Sequence, residues 1–166
     1  MNALQNQDQK TLNVLFVCVD NARHSLIAES LLRSHRVRGV RAFSAGIDPA
    51  DKADSFALSA LVLAGLGNEG LWPKHWDGFA DPKRRLIDVV VTIGEDAARL
   101  LPHTFPGNPD YVNWTFDAET SMRFHHGVWR DIQMLKPFVD VLADDLRAAM
   151  APAFLPYKEE HAEAAE

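Results

Sequence analysis

Two strongly apolar runs constrain this chain more than any other feature: "VLFVC" at residues 14–18, which is continuous, and "LIDVVVTIG" at 86–94. A strand that is apolar, β-branched or aromatic at nearly every position has no face to offer water. It belongs inside a parallel sheet covered on both sides. After the first run, "LIAESLLRSHR" puts Ile27, Leu31 and Ser34 on one face with Ala28, Leu32 and His35 beside it, which is helical spacing. Ser25 is placed to cap that helix and Gly39 to end it. After the second run, "EDAARLL" predicts a short helix stopped by Pro102.

The remaining segments continue the alternation. "VRAFSAG", residues 40–46, reads as a strand, and "SFALSALVLAGLG" as a helix closing on glycines. Residues 68–85 are irregular with room for a short helix, and "YVNWTF" is a further strand. From about Ser121 to Met150 the apolar spacing is helical, with Pro137 expected to bend or divide it. Strands alternating with helices predict an α/β fold of three layers, a mostly parallel central sheet with helices on both faces and right-handed crossovers. The expected organisation is a polar leader over residues 1–11, one domain over 12–150, and a loose tail over 151–166.

Composition narrows the function classes. The chain has 166 residues and a formal net charge of −6, which argues against a general nucleic-acid binder. The N-terminal "MNALQNQDQKTLN" lacks the apolar segment of a signal peptide, and no run is long enough to span a bilayer. Cys18 is the only cysteine, so neither an internal disulfide nor a multi-cysteine zinc site can form. These features predict a cytoplasmic protein without a membrane or nucleic-acid partner. No pattern calls for a cofactor. His125 and His126 are adjacent on the predicted helix and diverge by about 100°, so they do not make a metal site.

Ligands of open parallel sheets sit at the carboxyl ends of the strands, where Cys18 lies. The loop "CVDNARHS" then leads into a helix, so its N–H groups and the positive helix end converge on one point. A thiol there can ionise, and an oxyanion there can be held. The plainer reading makes Cys18 a small buried hydrophobe ending a strand.

Residues 12–34 resemble the phosphate-binding loop region of the low-molecular-weight protein tyrosine phosphatases and of their relatives, the thioredoxin-coupled arsenate reductases. Cys18, Asn21, Ala22, Ser25, Ala28, Glu29, Leu31, Leu32 and Arg33 fall in register with that pattern. "FSAG" at 43–46 and "DVVVTIGEDAARLLPHTFPGNPDYVNWTF" at 88–116 extend the resemblance to roughly residues 12–148. The resemblance implies Cys18 as nucleophile, residues Asn21, Ala22, Arg23, His24 and Ser25 as an anion-binding loop, and Trp72, His75, Trp76 and Trp114 as walls of the site. The ligand implied is an oxyanion such as phosphate, sulfate or arsenate, with a protein partner as a second class.

The departures fall on the chemistry. The family pattern is cysteine, five residues, arginine, serine; here the arginine position holds His24, and Arg23 stands one place early. A planar guanidinium grips an oxyanion with two parallel bonds, which an imidazole cannot do. Asp20 stands where the phosphatases often carry glycine, and its carboxylate repels both an oxyanion and a thiolate. The family's general-acid position holds Ala118, and its following proline is replaced by Glu119; Asp117 or Glu119 could serve only through a one-residue slip. The two further cysteines of the reductases have no counterpart near Gly94, Glu95 or Leu101. The sequence therefore reads as a catalytically impaired, binding or regulatory member of the family. The alternative is an active phosphotyrosine-type phosphatase, or a single-cysteine arsenate reductase, using Cys18. A weaker third reading is a redox sensor. Two small basic clusters, Arg36–Arg38–Arg41 and "DPKRR" at 81–85, read as solvated charge.

Overall fold

A computed structural model describes residues 10–115 and 127–151. Expectations for the leader up to residue 9, the tail from residue 152, Phe116, Asp117, Ala118, Glu119, His125 and His126 lie outside the described residues. The elements in chain order are β1 (Leu12–Cys18), α1 (His24–Ser34), β2 (Val40–Gly46), α2 (Ser55–Leu63), β3 (Val89–Ile93), α3 (Glu95–Leu100), β4 (Asp110–Trp114) and α4 (Val128–Met150). A 3₁₀ turn at Trp76–Phe79 interrupts the long connection before β3.

The sheet is parallel throughout, in the order β2-β1-β3-β4. β1 is flanked by a strand on each side, which explains why all seven of its residues are buried. Its side chains alternate between two cores. Val14, Phe16 and Cys18 enter the core shared with Leu26, Ile27, Leu31, Ile132 and Leu135 of α1 and α4. Leu15 and Val17 enter a smaller core on the opposite face with Val90, Leu101 and Phe105. Helices thus cover both faces, and the alternation delivers Cys18 to the side where α1 begins. No helix among the described residues is long and apolar enough to cross a membrane.

Three local expectations are corrected. α1 stops at Ser34, and the chain reverses at Arg36, whose φ is 49°, before Gly39 is reached. Gly39 serves packing instead: a Cβ there would lie 2.4 Å from Met150 Cε and 2.9 Å from the Lys10 carbonyl. Ser25 does not cap α1; Arg23 occupies the cap position and Ser25 lies within the first turn, fully buried. Pro137 does not divide α4, because Ile132, Leu135, Val139, Ala143 and Leu146 form one buried stripe on both sides of it.

Candidate functional site

The loop between β1 and α1 is laced to the chain that follows β2. The Ile47, Asp48, Ala50 and Asp54 N–H groups donate to the carbonyls of Cys18, Val19, Asp20 and Ala22 at 3.2, 2.8, 2.9 and 2.9 Å. Gly46 permits this close passage, since a Cβ there would lie 2.9 Å from Asn21 Cβ and 3.0 Å from the Val19 carbonyl. Asn21 adopts a positive φ of 49°, a conformation asparagine tolerates better than most residues, and is completely buried. Its side chain accepts from Lys74 N–H at 2.8 Å and donates to Ser25 Oγ at 2.7 Å. The loop is thereby fixed from both sides.

Cys18 Sγ sits at the centre of this frame. It lies 3.0 Å from Ser25 Oγ, accepts the Asn21 N–H at 3.2 Å, and faces Asp20 Oδ1 at 3.6 Å. The Asp20 carboxylate also accepts the Ala22 N–H at 3.0 Å. One of the loop's own N–H donors is therefore bound to an internal acid. Burial, opposed by Ser25 and Asn21 but reinforced by the Asp20 charge, pushes the Cys18 thiol up to about 11. A nucleophilic thiol is instead pulled below its ordinary value.

Arg23 and His24 are engaged outside the loop. Arg23 donates from Nε and Nη2 to Asp54 Oδ2 at 2.8 and 2.5 Å, and from Nη1 to Asp131 Oδ2 at 3.3 Å. Asp54 caps α2, accepting the Phe56 and Ala57 N–H groups at 2.9 and 3.2 Å. Burial works against the charges of this pair. The mutual hydrogen bonds outweigh it, holding Asp54 below the usual carboxylate range and Arg23 above its own ordinary value. His24 Nε2 lies 3.4 Å from Asp131 Oδ2, so Asp131, fully buried on α4, faces both side chains. Asp54 and Asp131 are thus the carboxylates that meet these two side chains.

The four residues expected to wall the site have different fates. The segment around His75 does run beside the loop, through a bridge between Gly46 and His75 and the Gly46 N–H donating to the Lys74 carbonyl at 2.7 Å. Trp72 is exposed, with the Lys74 ammonium 5.1 Å from its ring centre. Trp76 packs on Phe105 in the smaller core. Trp114 departs furthest from expectation. It is buried between Phe16 and Phe138, with ring centres 5.6 and 5.4 Å away, because its place at the end of β4 turns it toward α4. The surface beside Arg23 is a cavity of about 400 Å³ lined by Phe56, Ala60, Leu63, Val128 and Trp129.

Asp54 and Asp131 are the residues that sequence reasoning missed. Asp54 carried a signal as an acid directly before a helical run. Asp131 carried a subtler one, an acid on the apolar stripe Val128–Ile132–Leu135. Among the described residues no cluster of three or more histidines, cysteines or acids is arranged to hold a metal ion.

Comparison with known proteins bears on the fold and the family. The thioredoxin-dependent arsenate reductase of Corynebacterium glutamicum is similar at 27% identity and a TM-score of 0.68, over 86% of this chain. This chain spans only 65% of the corynebacterial protein. An arsenate reductase from Archaeoglobus fulgidus matches at 24% identity and a TM-score of 0.57, over 79% of this chain and 98% of that one. The YwlE arginine phosphatase of Geobacillus stearothermophilus matches at 21% identity and 0.62, over 83% and 94%. The last two likenesses speak to fold alone. Residues 13–127 match the family described as low molecular weight phosphotyrosine protein phosphatase, which takes in the whole loop, the sheet and the approach to α4. The chain belongs to the low molecular weight phosphotyrosine protein phosphatase family.

Proposed function

We propose that this chain is a catalytically impaired member of its family that works by binding, with a regulatory rather than a turnover role. The observation that carries the reading is the position of Asp20. Its carboxylate accepts a loop N–H at 3.0 Å and stands 3.6 Å from the cysteine sulfur. An oxyanion entering the loop would meet this charge at short range, and because Asp20 is exposed and screened by solvent the repulsion is about 1–2 kcal/mol per unit charge. With the thiol pushed up to about 11, only about one molecule in ten thousand carries a thiolate at pH 7. The guanidinium that would bind the transition state is held by Asp54 and Asp131. Residues Asn21 to Ser25 then hold an oxyanion weakly, and a protein partner is the natural target of a binding role. The single cysteine supports a cytoplasmic setting.

The test is hydrolysis of an aryl phosphate and thiol-coupled reduction of arsenate by the wild-type protein and Cys18→Ser. Equal background rates are expected. Robust turnover lost in Cys18→Ser would overturn the reading.

A second reading, a surviving phosphotyrosine-type phosphatase or single-cysteine arsenate reductase, is favoured by one contact set. Cys18 Sγ already receives the Asn21 N–H and lies beside the Ser25 hydroxyl, the donors a thiolate needs. It requires Arg23 or His24 to turn onto the anion and Asp117 to act as acid. The turnover assay separates the two readings.

A further inference from the structure

The two basic clusters that read as solvated charge in the sequence meet in space. A cavity of about 340 Å³ lies at the outer edge of β2, where Arg36 from the turn after α1, Arg41 from β2 and Arg85 from the segment before β3 converge. Its apolar lining includes Leu32, Val37 and Val40. Arg33 also borders it, but that guanidinium is bonded to Glu29 and to the Glu69 carbonyl. The other three have no carboxylate partner among the described residues, in a chain whose formal net charge is −6. Arg84, next to Arg85, pairs with Asp81. Arg85 is set in place by stacking 4.8 Å from the centre of the Phe43 ring.

Charges at a sheet edge commonly deter edge-to-edge pairing, and β2 is an edge strand. That role needs neither a cavity nor arginines drawn from three separate segments. We propose that this cavity is a binding site for a small organic diphosphate, separate from the Cys18 loop. Guanidinium forks match phosphate oxygens two at a time. A single phosphate satisfies one or two forks, whereas two linked phosphates offer oxygens to all three arginines of the lining. The apolar lining receives the organic portion, and the volume falls within the range of small-molecule sites.

The experiment is calorimetric titration of the full chain at low salt with methyl diphosphate, pyrophosphate and inorganic phosphate. The variants are Arg41→Gln/Arg85→Gln, Arg41→Lys and, as a remote control, Arg99→Gln. Arg99 pairs with Asp96 on α3 and is absent from the cavity lining. Expected are saturable one-to-one binding of both diphosphates, at least tenfold tighter than phosphate, and a loss of tenfold or more in the double variant. Arg41→Lys retains the charge but loses the fork, so it should fall between wild type and the double variant. Arg99→Gln should match wild type. Circular dichroism checks that the exposed substitutions leave the fold intact. No saturable binding, binding equal to that of phosphate, or equal loss in Arg99→Gln would each overturn the assignment. Asp20→Gly, titrated in parallel, separates this site from the loop. If the diphosphate signal follows Asp20 and ignores Arg41 and Arg85, the ligand sits in the loop and the proposal fails, whatever the turnover assay reports.

Discussion

Replacing Asp20 by asparagine isolates the contact on which the reading of the loop turns. Asparagine keeps a side-chain oxygen for the Ala22 N–H and removes the charge 3.6 Å from Cys18 Sγ. At that distance a unit charge interacts by about 1 kcal/mol under water-like screening and about 5 kcal/mol at an effective dielectric constant of 20. Asp20 is exposed, so solvent takes up much of the field and the lower part of that range applies. A change of about 1–2 kcal/mol is about one pKa unit. The thiol should fall from about 11 toward 10, and burial, the larger cause, should keep it above its ordinary value. The thiolate population at neutral pH then rises about tenfold. The assay is the pH dependence of Cys18 alkylation by iodoacetamide, followed by mass spectrometry, for wild type and Asp20→Asn. Superimposable profiles, or a wild-type thiol that already ionises near neutral pH, would refute the reasoning.

Other consequences can be measured as readily. Asp54 has its folded pKa depressed, so its contribution is present above the unfolded value near 3.8 and is lost as pH falls through the folded one. Asp54→Ala should therefore cost about 1–2 kcal/mol at neutral pH, through the lost α2 cap and Arg23 partner, and less in acid, as read by urea unfolding at several pH values. An equal cost below pH 3 would contradict this. Gly46→Ala forces a Cβ to 2.9 Å from Asn21 and should destabilise by about 1–3 kcal/mol in thermal melts, with changed amide shifts at residues 18–22 in NMR spectra. An unshifted melt would remove the role given to that glycine.

The scaffold was legible because its signals are local. A strand buried on both faces is apolar at nearly every position, and β1 is apolar at all but the hydrogen-bonded Asn13. The alternation in β1 that sends Cys18 to the α1 side has period two and needs no tertiary knowledge. The state of the site was less legible because it depends on distant partners. Arg23 is held by Asp54 and by Asp131, which lies 108 residues away, and no local pattern announces such a pairing. Ser25 misled for a related reason. A serine at a helix start can bond to the helix or to the loop, and a buried cysteine with a left-handed asparagine drew it to the loop. Trp114 followed its family position as far as the sheet but turned into the core, where Phe16 and Phe138 offered aromatic contact.

In the proposed function, Asp20 and the histidine in place of arginine at position 24 disarm a loop whose frame is intact. Cys18-dependent hydrolysis of an aryl phosphate, compared between wild type and Asp20→Gly/His24→Arg, tests it most directly. Expected are no wild-type rate above Cys18→Ser and a rise of at least tenfold in the double variant, itself abolished by Cys18→Ser. A wild-type rate well above Cys18→Ser, lowered or unchanged by the double substitution, would contradict it.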